Sequence, residues 1–139
     1  MERRVTVRGI IEKEGKLFCV RQKHSDGSIN DFWCTPGGGL EPRESLYEGL
    51  KRELNEELGV EPSIGTLLAI QQYQENQIEF LEFFFSIENV DDYTSIDLEN
   101  TSHGKQELVE YDFIDPRNVY ILPKFLSKYP HIPSVVSYL

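Results

Sequence analysis

The chain has 139 residues, 39% of them hydrophobic and 12% aromatic, which suits one domain with its own core and argues against disorder. No run approaches the ~18 apolar residues of a membrane span, and the N-terminal MERRVTVRG lacks an apolar signal core, so cytoplasmic residence is expected. A net charge of −10 repels polyanions, which excludes broad, non-specific nucleic-acid binding; an anionic ligand could approach an acidic site only with divalent cations between them.

Arg4 to Ile11 alternates enough to read as a strand, Glu14-Gly15-Lys16 as a turn, and Leu17 to Arg21 as the hairpin partner of the first run. Arg21, at the end of that partner, is a candidate phosphate contact. A polar loop over residues 24–31 leads to Phe32-Trp33-Cys34, read as a short strand, and to a sharp turn at Pro36-Gly37-Gly38-Gly39. Bare glycine backbone at Gly37 and Gly38 allows close approach to an ion or a phosphate. Cys19 and Cys34 sit in apolar runs without metal-ligand spacing and read as reduced core thiols. His24, His103 and His131 have no second ligand nearby in sequence and read as loop histidines.

Leu46, Leu50, Leu54 and Leu58 recur every four residues, which predicts a helix with one apolar face. Glu41-Pro42 suits its start and Gly59 its end. With Leu46 set to zero and about 100° per residue, Glu53, Glu56 and Glu57 fall at roughly −20°, −80° and +20°, beside the apolar stripe. Three like charges at i, i+3 and i+4 repel one another, and Glu57 borders the buried face. A hard divalent cation such as Mg²⁺ would turn that repulsion into coordination. Gly49, projecting between Glu53 and Glu56, leaves room for an ion or phosphate, and Arg52 can pair with Glu48 and Glu56.

Ile64 to Tyr73 and Ile78 to Ile87 read as strands joined at Glu75-Asn76; the second is apolar enough to be central and covered on both faces. Tyr73, with Phe32 and Trp33, is a candidate to stack on a base. Asn89 to Gln106 is long, polar and acidic, as in a binding loop. Glu107 to Ile114 reads as a last strand, followed by an interrupted helical region around Tyr120 to Leu126. These elements predict an α/β domain, a mixed sheet between helical layers, over residues 1–139.

Gly38 to Val60 resembles the signature of the Nudix (MutT-like) hydrolase family, G-x5-E-x7-R-E-U-x-E-E-x-G-U with U aliphatic. It is matched at Gly38, Glu44, Arg52-Glu53-Leu54, Glu56-Glu57 and Gly59-Val60 without departure. Seven fixed residues at ~7% usage each, with two aliphatic positions, match by chance on the order of once in a billion starts. The preceding Trp33-Cys34-Thr35-Pro36-Gly37 is similar to the W-x-x-P-G-G run that precedes the family's box. The resemblance implies an α/β/α sandwich and a Mg²⁺-dependent hydrolase, with Mn²⁺ able to substitute, acting on a nucleoside diphosphate linked to another group. It implies metal ligands at Glu53, Glu56, Glu57 and the Gly37 carbonyl. Arg52 would orient carboxylates, and Glu44 would brace the loop through backbone. The general base is a box glutamate, Glu53, or an acid among Asp91, Asp92, Asp97, Glu99 and Glu107. The leading substrate class is a (deoxy)nucleoside triphosphate, then a nucleotide sugar. The alternatives are a catalytically silent nucleotide sensor, an ADP-ribose pyrophosphatase, and an isoprenoid diphosphate isomerase using Cys34. The chain is expected to work as a monomer or homodimer.

Overall fold

The computed structural model describes all 139 residues. Strands β1 (Glu2–Ile10), β2 (Glu12–Lys13), β3 (Lys16–Gln22) and β4 (Gly37–Gly39) precede helix α1 (Leu46–Leu58). Strands β5 (Ile64–Glu75) and β6 (Ile78–Ile87), a short helix α2 (Gly104–Glu107), β7 (Leu108–Ile114) and β8 (Val135–Ser137) complete the order. The larger sheet runs β4-β1-β6-β5-β8 and the smaller β2-β3-β7. Parallel pairs β1·β6 and β5·β8 beside antiparallel neighbours make the larger sheet mixed, as expected.

Leu50, Leu54 and Leu58, 0–1% exposed, seat α1 on one face of the larger sheet against Val7, Phe85 and Ile87. Each such leucine contributes about 1.5–3 kcal/mol by leaving water. On the opposite face Ile10, Ala69 and Phe84 pack with Leu17, Cys19, Ile121 and Leu126. β6 lies between β1 and β5, and its Phe84 and Phe85 point to opposite faces; this explains its nearly continuous apolar run. Both cysteines are free and buried. No helix is long and apolar enough to cross a membrane.

Five local expectations change. The Glu14-Gly15 turn joins β2 to β3, not β1 to β3, because β1 is flanked by β4 and β6. The place beside β1 is taken by Gly37–Gly39, a strand where a turn was expected. Only glycine fits there: a Cβ on Gly37 would lie 2.0 Å from the Val7 carbonyl oxygen. Phe32-Trp33-Cys34 makes isolated bridges only, Val20 to Cys34 and Trp33 to Ile121. The C-terminal helical layer is a single 3-10 turn, Lys124–Lys128, because Pro123 and Pro130 bracket it and cannot extend a helical hydrogen-bond pattern. Residues 89–106 are not bare loop. They hold 3-10 turns at Val90–Tyr93 and Leu98–Asn100 and the start of α2, anchored by buried Tyr93 donating to the Val60 carbonyl at 3.0 Å.

Candidate active site

α1 begins at a capping box. Ser45 Oγ accepts from the Glu48 amide at 3.0 Å, and Glu48 Oε1 accepts from the Ser45 amide at 3.3 Å, so two otherwise orphaned donors are satisfied. Glu41-Pro42 therefore lies outside the helix, and Glu48 is not free to pair with Arg52. Gly59, at φ 74°, closes the far end by donating to the Asn55 carbonyl.

Arg52 gathers the acids instead. Its Nε donates to Glu44 Oε2 at 2.8 Å and its Nη2 to Glu44 Oε1 and the Gly39 carbonyl, both at 2.9 Å. Nη1 donates to Glu53 Oε1 at 3.1 Å and Glu56 Oε2 at 3.3 Å. The bidentate pair holds Glu44 below the usual carboxylate range. Glu44 also accepts from the Glu41 amide at 3.0 Å.

Glu57 turns inward. It is 2% exposed, and its Oε2 has no hydrogen-bond partner. Burial pushes its carboxyl well above the ordinary range, Arg8 opposes, and the Glu53 and Glu107 charges add to the rise. Burial also raises Glu53, against the pull of Arg52 and with a further push from Glu56; the Glu53 and Glu57 carboxyls share a hydrogen bond. No three His, Cys, Asp or Glu side chains converge on one point in this arrangement, in which Arg52 Nη1 occupies Glu53 Oε1 and Glu56 Oε2. A cation must therefore compete with the Arg52 guanidinium. The donors nonetheless suit one: all are hard oxygens, and one buried oxygen of Glu57 has no hydrogen-bond partner.

The glycine run shapes the rim. A Cβ on Gly38 would sit 2.6 Å from the Glu53 carboxyl, so that acid reaches the loop only because residue 38 has no side chain. The Gly37 carbonyl accepts from Arg8 Nη1 at 3.2 Å, which leaves it one lone pair. Gly49 serves packing rather than an ion: its missing Cβ would lie 2.1 Å from Leu40 Cδ2.

The distal loop closes over the other end of α1. The His103 amide donates to the Glu56 carbonyl at 2.9 Å, and His103 Nδ1 meets Glu56 Oε2 at 3.1 Å. His103 is thus not the plain loop histidine expected. A Cβ on Gly104 would stand 2.0 Å from the Glu57 carbonyl oxygen. Of the five distal acids, Glu107 is the one whose charge reaches Glu57. Asp91 pairs with Lys13, Asp92 accepts from Asn89, Asp97 caps its own turn, and Glu99 lies 3.6 Å from Lys105.

A cleft of about 380 Å³ opens on the sheet face opposite α1. Its floor is a buried polar network missed in the sequence. Glu82 Oε2 accepts from Thr6 Oγ1 at 2.8 Å and Arg8 Nε at 3.0 Å, and Glu82 Oε1 from Gln71 Nε2 at 2.8 Å. Burial works against the Glu82 charge, yet Arg8 and these hydrogen bonds carry its pKa below the usual value. Phe32 and Tyr73 form part of the walls, and burial pushes the Tyr73 hydroxyl up to about 12. Tyr73 stacks on Phe80 with ring centroids 4.9 Å apart. Arg21 and Trp33 line neither this cleft nor the carboxylate cluster. Arg21 donates to the Asn30 carbonyl at 2.9 and 3.0 Å and pairs with Glu110, while Trp33 packs on the core cluster that holds Phe84.

Arg8, Thr35, Gln71 and Glu82 belong to no contiguous motif. The one visible signal was a glutamate in the midst of the aromatic run IEFLEFFFSI. The family model described as NUDIX domain matches residues 2–134. The CTP pyrophosphohydrolase of Escherichia coli (strain K12) is 39% identical over 66 residues, 48% of this chain and 48% of that protein. The ADP-ribose pyrophosphatase of Methanocaldococcus jannaschii is 35% identical over 66 residues, 48% of this chain and 38% of that protein. The aligned part thus spans about half or less of these relatives' length. The MutT protein from Methanosarcina mazei Go1 superposes with a TM-score of 0.69 at 22% identity, covering 95% of this chain and 86% of that one, a likeness of fold. With the Gly38–Val60 pattern intact and the match running across nearly all of its length, the chain belongs to the NUDIX domain family.

Proposed function

We propose that the protein is a Mg²⁺-dependent hydrolase, with Mn²⁺ able to substitute, that cleaves a phosphoanhydride bond of a nucleoside triphosphate. The observation that carries this reading is the Glu57 carboxyl, buried beside Glu53 with an unpartnered oxygen and facing no compensating cation but Arg8. A buried acid without a partner destabilises a fold, and such expense is typical of functional sites.

Glu53, Glu56, Glu57 and the Gly37 carbonyl would hold the metal, which when bound neutralises phosphate charge and acidifies a water. Arg52 fixes Glu53 and Glu56 from behind and touches no substrate. Gly38 and Gly39 let a phosphate chain approach the backbone closely. Glu53 takes the proton of the attacking water as the new oxygen–phosphorus bond forms and the bridging bond breaks; Glu107 is the rival base. The cleft opposite α1 receives the base, with Tyr73 and Phe32 available for stacking. The name of the E. coli relative, a CTP pyrophosphohydrolase, supports a triphosphate substrate. The archaeal relative's name keeps ADP-ribose as the second reading.

The test is release of phosphate or pyrophosphate from nucleoside triphosphates, nucleotide sugars and ADP-ribose, with Mg²⁺, Mn²⁺ or chelator. Turnover with the metals, and its loss with chelator or in Glu57→Gln, is expected. Metal-independent turnover, or full activity of Glu57→Gln at saturating Mg²⁺, would refute the assignment.

A further inference from the structure

The cleft floor has a hydrogen-bonding pattern with a consequence for substrate choice. Thr6 and Arg8 on β1, Gln71 on β5 and Glu82 on β6 share one face of the sheet, and Glu82 lies in register with both Thr6 and Gln71. Gln71 and Glu82 are each 4% exposed and both line the cleft. Glu82 Oε2 is filled by Thr6 and Arg8, whereas Oε1 receives only the Gln71 amide, so one acceptor position on Oε1 stays open. That same bond fixes the Gln71 side chain. Its Nε2 faces Glu82, and its Oε1, which receives no hydrogen bond, is a second acceptor beside the first. Thr35 Oγ1, on a residue 1% exposed at the cleft wall, also lacks a partner.

Two neighbouring acceptors, one an ionised carboxylate, call for a ligand that brings donors. We propose that this floor selects nucleobases carrying an exocyclic amino group, preferring cytosine to uracil and guanine to hypoxanthine; the inference rests on the nucleotide reading above. An amino group supplies two N–H donors, enough for the open position on Glu82 and for Gln71 Oε1. The ring nitrogen and carbonyl of cytosine can accept from the Thr35 hydroxyl and the Arg8 guanidinium. Uracil turns a carbonyl oxygen toward the place where cytosine has its amino group, setting lone pair against lone pair beside two side chains that are each 4% exposed. Leaving a buried carboxylate position unmatched is how such a site discriminates.

The experiment compares kcat/KM of the full chain for CTP against UTP and for GTP against ITP, at saturating Mg²⁺. Inhibition constants of CMP against UMP on the wild-type chain provide a second, variant-free readout. The expected preference is roughly tenfold or more for the amino member of each pair. In Gln71→Leu, which removes one acceptor, the CTP:UTP ratio is expected to shrink to within about threefold, mainly through a fall in the CTP value. Equal kcat/KM and equal inhibition across the pairs, with turnover intact, would overturn the inference and leave the hydrolase reading standing. A wild-type preference unchanged in a folded Gln71→Leu would move selection away from this floor and also overturn it. Turnover of none of the nucleotides would remove the hydrolase reading, and this inference with it.

Discussion

The sharpest perturbation is Glu57→Gln, because its effects on stability should reverse with metal. Glu57 is 2% exposed, and one of its oxygens has no partner. Its folded pKa lies well above the unfolded value near 4.5, so below pH 4.5 the group is protonated in both states and imposes nothing. As pH rises above 4.5 the unfolded chain gives up its proton first, the folded chain holds more protons, and stability falls until the folded group ionises too. The amide of Gln keeps the shape, donates to Glu53 and never ionises. Relief of an unpartnered buried group is about 1–3 kcal/mol, and in a chain of this size each kcal/mol moves Tm by about 2–4 °C. In chelator at pH 8, Glu57→Gln should therefore melt several degrees above wild type, and at pH 4 the two should converge. Saturating Mg²⁺ should raise the wild-type Tm and leave the variant nearly unmoved, since ligand binding to the folded state alone stabilises it. Scanning calorimetry over pH 4–8, with chelator and with Mg²⁺, measures all four arms. A variant less stable than wild type in chelator at pH 8, or one with the full Mg²⁺ shift, would refute the reasoning.

Gly38→Ala brings a Cβ to 2.6 Å from the Glu53 carboxyl, the movable end of a side chain. Glu53 should swing aside, cutting kcat by roughly a hundredfold, with Tm changed by no more than about 2 °C by differential scanning fluorimetry. Gly104→Ala is different in kind, because its Cβ would meet the Glu57 backbone oxygen at 2.0 Å, which cannot yield. It should cost about 1–3 kcal/mol in urea unfolding and speed proteolysis within residues 98–107. Ser45→Ala removes the capping hydroxyl and should cost about 1 kcal/mol, with KM unchanged in steady-state assays.

What could be read ahead of the structure divides by range in sequence. The four-residue leucine period gave α1 because its apolar stripe and its turns are local, and the strands β5 and β6 followed for the same reason. The Ser45-x-x-Glu48 capping box that sets the first residue of α1 is a separate signal, three residues beyond Glu41-Pro42. Arg52 and Glu44 have partners that a sequence reading can reach, since those partners lie within one turn or loop of them. The β1·β3 hairpin failed because alternation marks a strand without naming its neighbour; Gly37–Gly39 claimed that edge by having no side chains to exclude it. The cleft floor was out of reach. Thr6 and Glu82 are brought together over 76 positions and Gln71 and Glu82 over 11, by register alone. His103 was misjudged likewise, its partner Glu56 being 47 positions away.

Glu82 has a second effect that concerns which way up the central strand lies. β6 is apolar on both sides, so hydrophobicity alone gives little reason to prefer one alignment over another displaced by a single residue. Such a slip would turn the carboxylate toward Leu50 and Leu54, away from Thr6, Arg8 and Gln71, and strand the arginine as well. Breaking a buried charge pair in that manner costs about 3–5 kcal/mol. The buried glutamate of the strand is thus the residue that locks its orientation in the sheet.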